Sequence, residues 1–146
     1  MKKNLKFTKG IEVVGSAIIE NPKGQILLVR SQKWHNKWTL PGGHLEPGEN
    51  ILTSQIREAQ EETGLKLKAI AIVAWGELIN SKDFYRPAHF IYFDIYCRTK
   101  GGRIRLETRE LNKYLWVAPD QALKKNLAET YDKTIKAFIR FKKNQK

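Results

Sequence analysis

The stretch from Asn50 to Gly64 does most to limit what this chain can become. Asn50 suits a helix N-cap, since its short side chain can satisfy an early backbone N–H, and Gly64 suits the left-handed turn that stops a helix. Between them, at about 100° per residue, Leu52, Ile56, Ala59 and Thr63 fall in one narrow sector, which predicts the face turned to a core. Glu58, Glu61 and Glu62 fall together on a different sector, spaced i, i+3 and i+4. Three carboxylates so placed repel one another, by about a few tenths of a kcal/mol per pair even on an exposed helix. The chain has cations to spare, with 27 Lys and Arg against 15 Asp and Glu, a formal charge of +12. Interspersed lysines would be the ordinary remedy, so their absence points to a hard divalent cation as the neutralising partner. Mg²⁺ prefers oxygen ligands, keeps several waters and is commonly shared between carboxylates and substrate phosphates. Arg57, one residue before Glu58 and four before Glu61, is suited to holding a carboxylate in place. Glu49, just ahead of the helix, can meet the helix start or Arg57.

The rest of the chain reads as strands and helices in mixture. Ile11 to Ile19 is rich in β-branched residues and ends at the turn Asn21-Pro22-Lys23-Gly24, so Gln25 to Arg30 is its expected hairpin partner. Ser31 to Trp38 reads as a loop and Pro41-Gly42-Gly43 as a tight turn where backbone can approach a ligand. Leu67 to Ile79 and Ala88 to Arg98 read as strands around a loop at Asn80 to Pro87. Arg103 to Leu106 and Tyr114 to Val117 read as short strands. A short helix after Pro119 and an amphipathic one from Ala128 to Phe141 close the chain, the latter packing Ile135, Phe138 and Ile139 on the core. This order predicts an α+β fold, a mixed β-sheet sandwiched between helices, with residues 1–146 as one domain. No repeat, low-complexity stretch or linker interrupts it.

The segment also carries a known pattern. It reads Gly43-His-Leu-Glu-Pro-Gly-Glu49, then Asn50 to Ile56, then Arg57-Glu58-Ala59-Gln60-Glu61-Glu62-Thr63-Gly64-Leu65, and it resembles the Nudix box with all seven fixed positions filled. Ala59 is smaller than the usual aliphatic residue there, which touches packing and not ligation. With each fixed residue at a frequency of roughly one in fifteen, a chance match has odds near ~10⁻⁸ per start position. Trp38-Thr39-Leu40-Pro41-Gly42-Gly43 resembles the family's lead-in, and Glu110 with Trp116-Val117 its later strand.

The resemblance implies a hydrolase that uses Mg²⁺ or Mn²⁺ to cut the diphosphate linkage of a nucleoside-linked substrate. It implies metal ligands at Glu58, Glu61 and Glu62, with Gly42 through its carbonyl and Glu110 as further members. Glu107 competes with Glu110. Glu58 and Glu62 are the first choices for the base. Bound metal lowers the pKa of a coordinated water, and a nearby glutamate takes its proton. A nucleoside triphosphate would yield the monophosphate and pyrophosphate. Subfamily markers favour that substrate over ADP-ribose, other nucleotide sugars or dinucleotides, because Asn80 and Ser81 stand where marker residues fall, while Tyr85 and Pro87 come late. An RNA 5′-pyrophosphohydrolase is the alternative that the charge would suit, and a non-catalytic binding module is disfavoured by the intact glutamates.

Outside the box, Arg30 is the first choice to grip distal phosphates, with Lys33 and Arg86 behind it, and Trp38 is the first choice to stack on a base ahead of Trp34, Phe84 and Tyr85. His35 and His44 read as loop residues, and His89 as a strand residue facing the pocket. Cys97, the single cysteine, reads as a small core residue and leaves no internal disulfide. The basic residues gather at the two ends, Lys2, Lys3, Lys6 and Lys9 in front and Lys124 to Lys146 behind. They read as a solvated surface on a phosphate-handling protein and not as a dedicated nucleic-acid groove. No apolar run approaches the ~20 residues of a membrane span, and no h-region follows the basic start, so the expected partner is a small nucleotide and the expected location cytoplasmic.

Overall fold

The structure is a computed structural model, and it describes residues 5–145; Lys2, Lys3 and Lys146 of the two basic ends lie outside the described residues. Strand β1 (Ile11–Glu20) runs into a turn in which Asn21 Oδ1 accepts from the N–H groups of Lys23 and Gln25, both at 3.0 Å, and Gly24 takes φ +76°. That side chain closes the hairpin by imitating a backbone turn, and β2 (Ile26–Ser31) returns beside β1. Next come a 3₁₀ turn (Gln32–Trp34), the short strands β3 (Trp38–Thr39) and β4 (Gly42–His44), and helix α1 (Ile51–Thr63). Strands β5 (Lys68–Ile79) and β6 (His89–Arg98), β7 (Leu111–Val117), and helices α2 (Pro119–Ala122) and α3 (Tyr131–Lys143) complete the chain.

The sheet order is β3-β2-β1-β6-β5, with β4 paired to β1 and β7 to β2. The β1–β6 ladder is parallel, from Ile11↔His89 to Glu20↔Arg98, and the other ladders are antiparallel. The mixed sheet of the α+β expectation is therefore present. Because successive side chains alternate between sheet faces, β1 feeds two cores. Ala17 and Ile19 join Leu27, Val29, Ile95, Cys97 and α1's Ala59 on one side. Ile18 joins Ile26, Leu28, Tyr96 and α3's Ile135 and Phe138 on the other. Each such large apolar side chain, fully buried, contributes about 1.5–3 kcal/mol. Cys97 is buried as expected, and Ile135 and Phe138 pack on the core.

Four local expectations change. Arg103–Leu106 forms no strand; it runs along the end of α1, where the Arg105 N–H donates to Thr63 O at 2.7 Å and Ile104 and Leu106 pack on the first core. The last helix begins at Tyr131 because Thr130 sits at φ +77°, a left-handed conformation that a helix cannot include. Gly42 and Gly43 lie in a strand and not a tight turn. On α1, Leu52 is exposed whereas Gln55 is fully buried. Gln55 is drawn inward because its amide bridges Gly43, donating to Gly43 O at 3.0 Å and accepting from Gly43 N at 3.4 Å. A buried amide paired on both sides avoids the desolvation cost of an orphan.

Candidate active site

The site is assembled where α1 crosses β4 and β1. The sequence ends of α1 behave as read: Asn50 Oδ1 accepts from Thr53 N at 2.9 Å, and Gly64 takes φ +75°. β4 lies so close to β1 that a Cβ at Gly42 would sit 2.0 Å from the Gly15 carbonyl oxygen. A Cβ at Gly43 would sit 2.7 Å from Glu58 Cδ. Glycine is needed here for close approach, since neither residue has positive φ.

Glu62 is 6% exposed, and one of its oxygens accepts from the Gly42 N–H at 3.0 Å. Burial pushes its carboxyl up to about 8; the Gly42 hydrogen bond opposes this, and the charges of Glu58 and Glu110 reinforce it. Glu58, half-buried, is raised by its burial and by Glu61 and Glu110, against the pull of Arg57 at 3.2 Å. Glu110 lines the same cleft and pairs with Lys33 Nζ at 2.6 Å. Glu107, its competitor in the sequence, does not line the cleft and is instead held low by Arg109 at 2.9 Å.

Arg57 reaches Glu49 through two hydrogen bonds, at 2.8 and 2.9 Å, and reaches Glu61 at 3.4 Å. It organises the carboxylates, in line with the sequence reading. Its pairing also draws Glu61 out of the cleft, where its side chain is 60% exposed. Of the three glutamates expected from the helical spacing to hold a cation, Glu58 and Glu62 line the cleft and Glu61 stands outside it with Arg57. Among the described residues no group of three His, Cys, Asp or Glu is set to hold a metal ion. What remains still fits a hard cation. Glu58, Glu62 and Glu110 share one cleft, where the charge of Glu110 raises the proton affinity of both Glu58 and Glu62, and Mg²⁺ is commonly bound by one or two carboxylates plus substrate oxygens.

The cleft has a volume of about 510 Å³. The same cleft is lined by Trp34, Phe84, Phe90 and Tyr131. Trp34 lies 4.6 Å from the Phe84 ring and 5.7 Å from Tyr131, edge-on to the latter. Trp34 and Phe84 therefore provide the aromatic wall for which Trp38 was the first choice. Trp38 packs against the α3-side core, its backbone bonded to Asn126 and Ala128, and it does not line the cleft. Arg30 stacks 5.8 Å over Trp38 and donates to Asn112 at 3.3 Å, outside the cleft, whereas Lys33 lies within it. Arg86 is likewise no free cation. Its guanidinium makes bonds of 2.7 and 2.8 Å to Glu12 and packs over Phe84 and Tyr85. His89 does not reach the cleft, while His44 does, 2.7 Å from Glu12. Glu12, Phe90 and Tyr131 were not singled out in the sequence; an acid within the β-branched run Ile11-Glu12-Val13 was the available signal for the first.

The sequence model of the NUDIX domain matches residues 12–138. An asymmetrical bis(5′-nucleosyl)-tetraphosphatase of Sus scrofa is 30% identical over 105 residues, 71% of each chain. An m7GpppN-mRNA hydrolase of Xenopus laevis is 37% identical over 67 residues, 43% of this chain and 23% of that one. Among solved structures, a MutT protein from Methanosarcina mazei superposes with a TM-score of 0.74 at 25% identity, over 93% of this chain and 96% of that one. An Ap4A hydrolase from C. elegans shares the fold, with a TM-score of 0.70 at 21% identity over 91% of this chain and 98% of that one. This chain belongs to the NUDIX hydrolase family.

Proposed function

We propose that this protein hydrolyses a phosphoric anhydride bond of a nucleoside polyphosphate, with residues 1–146 acting as one catalytic domain. The observation that carries the reading is the meeting, in one cleft, of Glu58, Glu62 and Glu110 with Lys33 and an aromatic wall. Divalent metals are general in the family. Such a cation, Mg²⁺ or Mn²⁺, would be held here by Glu62 and Glu110 and would acidify a water and offset phosphate charge. Glu62 is fixed at one oxygen by the Gly42 N–H, which leaves its other oxygen to face the cleft. Glu58, with its raised proton affinity, is suited to take the proton from the attacking water. Lys33, released by Glu110 when the carboxylate turns to another partner, is in place to meet a phosphate oxygen. Trp34 and Phe84 offer faces to a base.

The sequence reading favours a nucleoside triphosphate. The likeness to bis(5′-nucleosyl)-tetraphosphatases over 71% of the chain favours a second reading, a dinucleoside tetraphosphate. Both present the same anhydride to the carboxylates, and they differ in whether a second nucleoside must leave the cleft. The test is turnover of nucleoside triphosphates, dinucleoside tetraphosphates, ADP-ribose and triphosphorylated RNA with Mg²⁺ and with Mn²⁺. Glu58→Gln should lower kcat by about 10²–10⁴-fold, the usual worth of a positioned base. Glu61→Gln should cost far less, since Glu61 stands outside the cleft. Turnover of none of these substrates, or an unimpaired Glu58→Gln, would refute the assignment.

A further inference from the structure

Asp94 takes no part in the hydrolysis described above, and its position calls for an explanation. It lies in β6, 2% exposed, with Oδ1 accepting from Ser16 Oγ and Oδ2 from Thr134 Oγ1, both at 2.7 Å. A small cavity of about 30 Å³ abuts it. That cavity shares Val14, Gly15, Trp34, Phe90 and Tyr131 with the main cleft, so it adjoins the substrate site. A space of this size admits about two water-sized groups and no ring. Burial pushes the Asp94 carboxyl up to about 6, so the ionised form is kept at a cost to the fold. A costly charge at the end of a substrate cleft is a mark of function.

We propose that this inner cavity reads the nucleobase, with Asp94 accepting hydrogen bonds from the N1–H and exocyclic amino group of a guanine nucleotide. The flanking rings of Trp34, Phe90 and Tyr131 leave the purine in the main cleft and let only its edge point inward. Each Asp94 oxygen that has taken one hydroxyl proton keeps a further lone pair. Guanine carries two adjacent donors on that edge. Adenine and cytosine set a ring acceptor beside their amino group, and uracil flanks its single donor with carbonyls, so each brings a lone pair against the carboxylate. This inference names the substrate base of the hydrolase site proposed above and relies on that reading for where the phosphates lie.

The test compares GTP, ITP and ATP, by kcat/KM with Mg²⁺ and by calorimetric binding. ITP differs from GTP in lacking the amino group. Wild-type protein should prefer GTP to ITP by about 10- to 100-fold, the range for a hydrogen bond to a charged group. Asp94→Asn should shrink the ratio to a few-fold, and Asp94→Leu, which removes both acceptors at similar volume, should bring it near one, with GTP losing more than ITP because ITP has only its N1–H contact to lose. Melting temperatures establish that each variant is folded. Equal use of GTP and ITP by wild type, or variants that weaken both nucleotides by the same factor, would overturn the proposal. A binding preference for GTP that collapses in the variants, together with no turnover of any nucleotide, would uphold the base contact and sink the hydrolase reading instead.

Discussion

Replacing Asp94 by Asn should make the protein more stable at neutral pH and no more stable in acid. Asp94 has an ordinary value of 3.8 that burial pushes up to about 6, against the opposing hydrogen bonds from Ser16 and Thr134. Its folded value exceeds its unfolded one, so between about pH 4 and pH 6 the folded protein binds the extra proton. Stability therefore falls as pH rises through that window, and the penalty is complete above it. Two pH units correspond to about 2–3 kcal/mol. Asn carries no charge to desolvate, but its amide N–H₂ requires one of the two hydroxyls to turn and accept. Thr134 Oγ1 has an alternative acceptor in Thr130 O at 3.5 Å, so this costs no more than about 1 kcal/mol. The net gain should be about 1–2 kcal/mol at pH 7.5, roughly 2–8 °C in Tm for a domain of this size. Urea denaturation at pH 4.2 and pH 7.5 measures the difference, which should vanish or reverse at the lower pH. Equal effects at both pH values, or a loss of more than about 1 kcal/mol at pH 7.5, would show that the charge is not what burial penalises.

Three further substitutions test the frame around the cleft. Glu12 is held down to about 2, first by its Arg86 hydrogen bonds and then by His44, against an ordinary 4.5. Its depressed value contributes stability above pH 4.5 that is lost as pH falls toward 2, so Glu12→Gln should cost about 1–3 kcal/mol at pH 7 by chemical denaturation. That gap should narrow between pH 5 and pH 3; a gap independent of pH would remove the ion pair as its cause. Gly42→Ala drives a Cβ into the Gly15 backbone oxygen and should cost about 3 kcal/mol or more. Gly43→Ala meets only the movable end of Glu58, so the fold should survive while kcat drops at least about 10-fold. The reverse ranking in melting temperature and activity would contradict the geometry.

Some of this was legible from residues alone because it depends on local rules. The cap at Asn50, the stop at Gly64, the turn at Asn21 to Gly24 and the β-branched runs follow from backbone preferences that neighbours in sequence largely determine. The spacing of Glu58, Glu61 and Glu62 was likewise readable, as was their pairing with Arg57. Helical periodicity places side chains on a face but does not say which of them a neighbouring strand will cover. Only the packed fold turned Glu62 inward onto the Gly42 N–H and left Glu61 in solvent with Arg57. It placed Glu110 in the cleft and Glu107 outside it, and it spent Arg86 on Glu12 and Trp38 on the core. It also brought Asp94, Ser16 and Thr134 together from two strands and the last helix. Contacts between residues so distant along the chain are set by which sheet faces are buried together, and one-dimensional spacing carries no record of that choice.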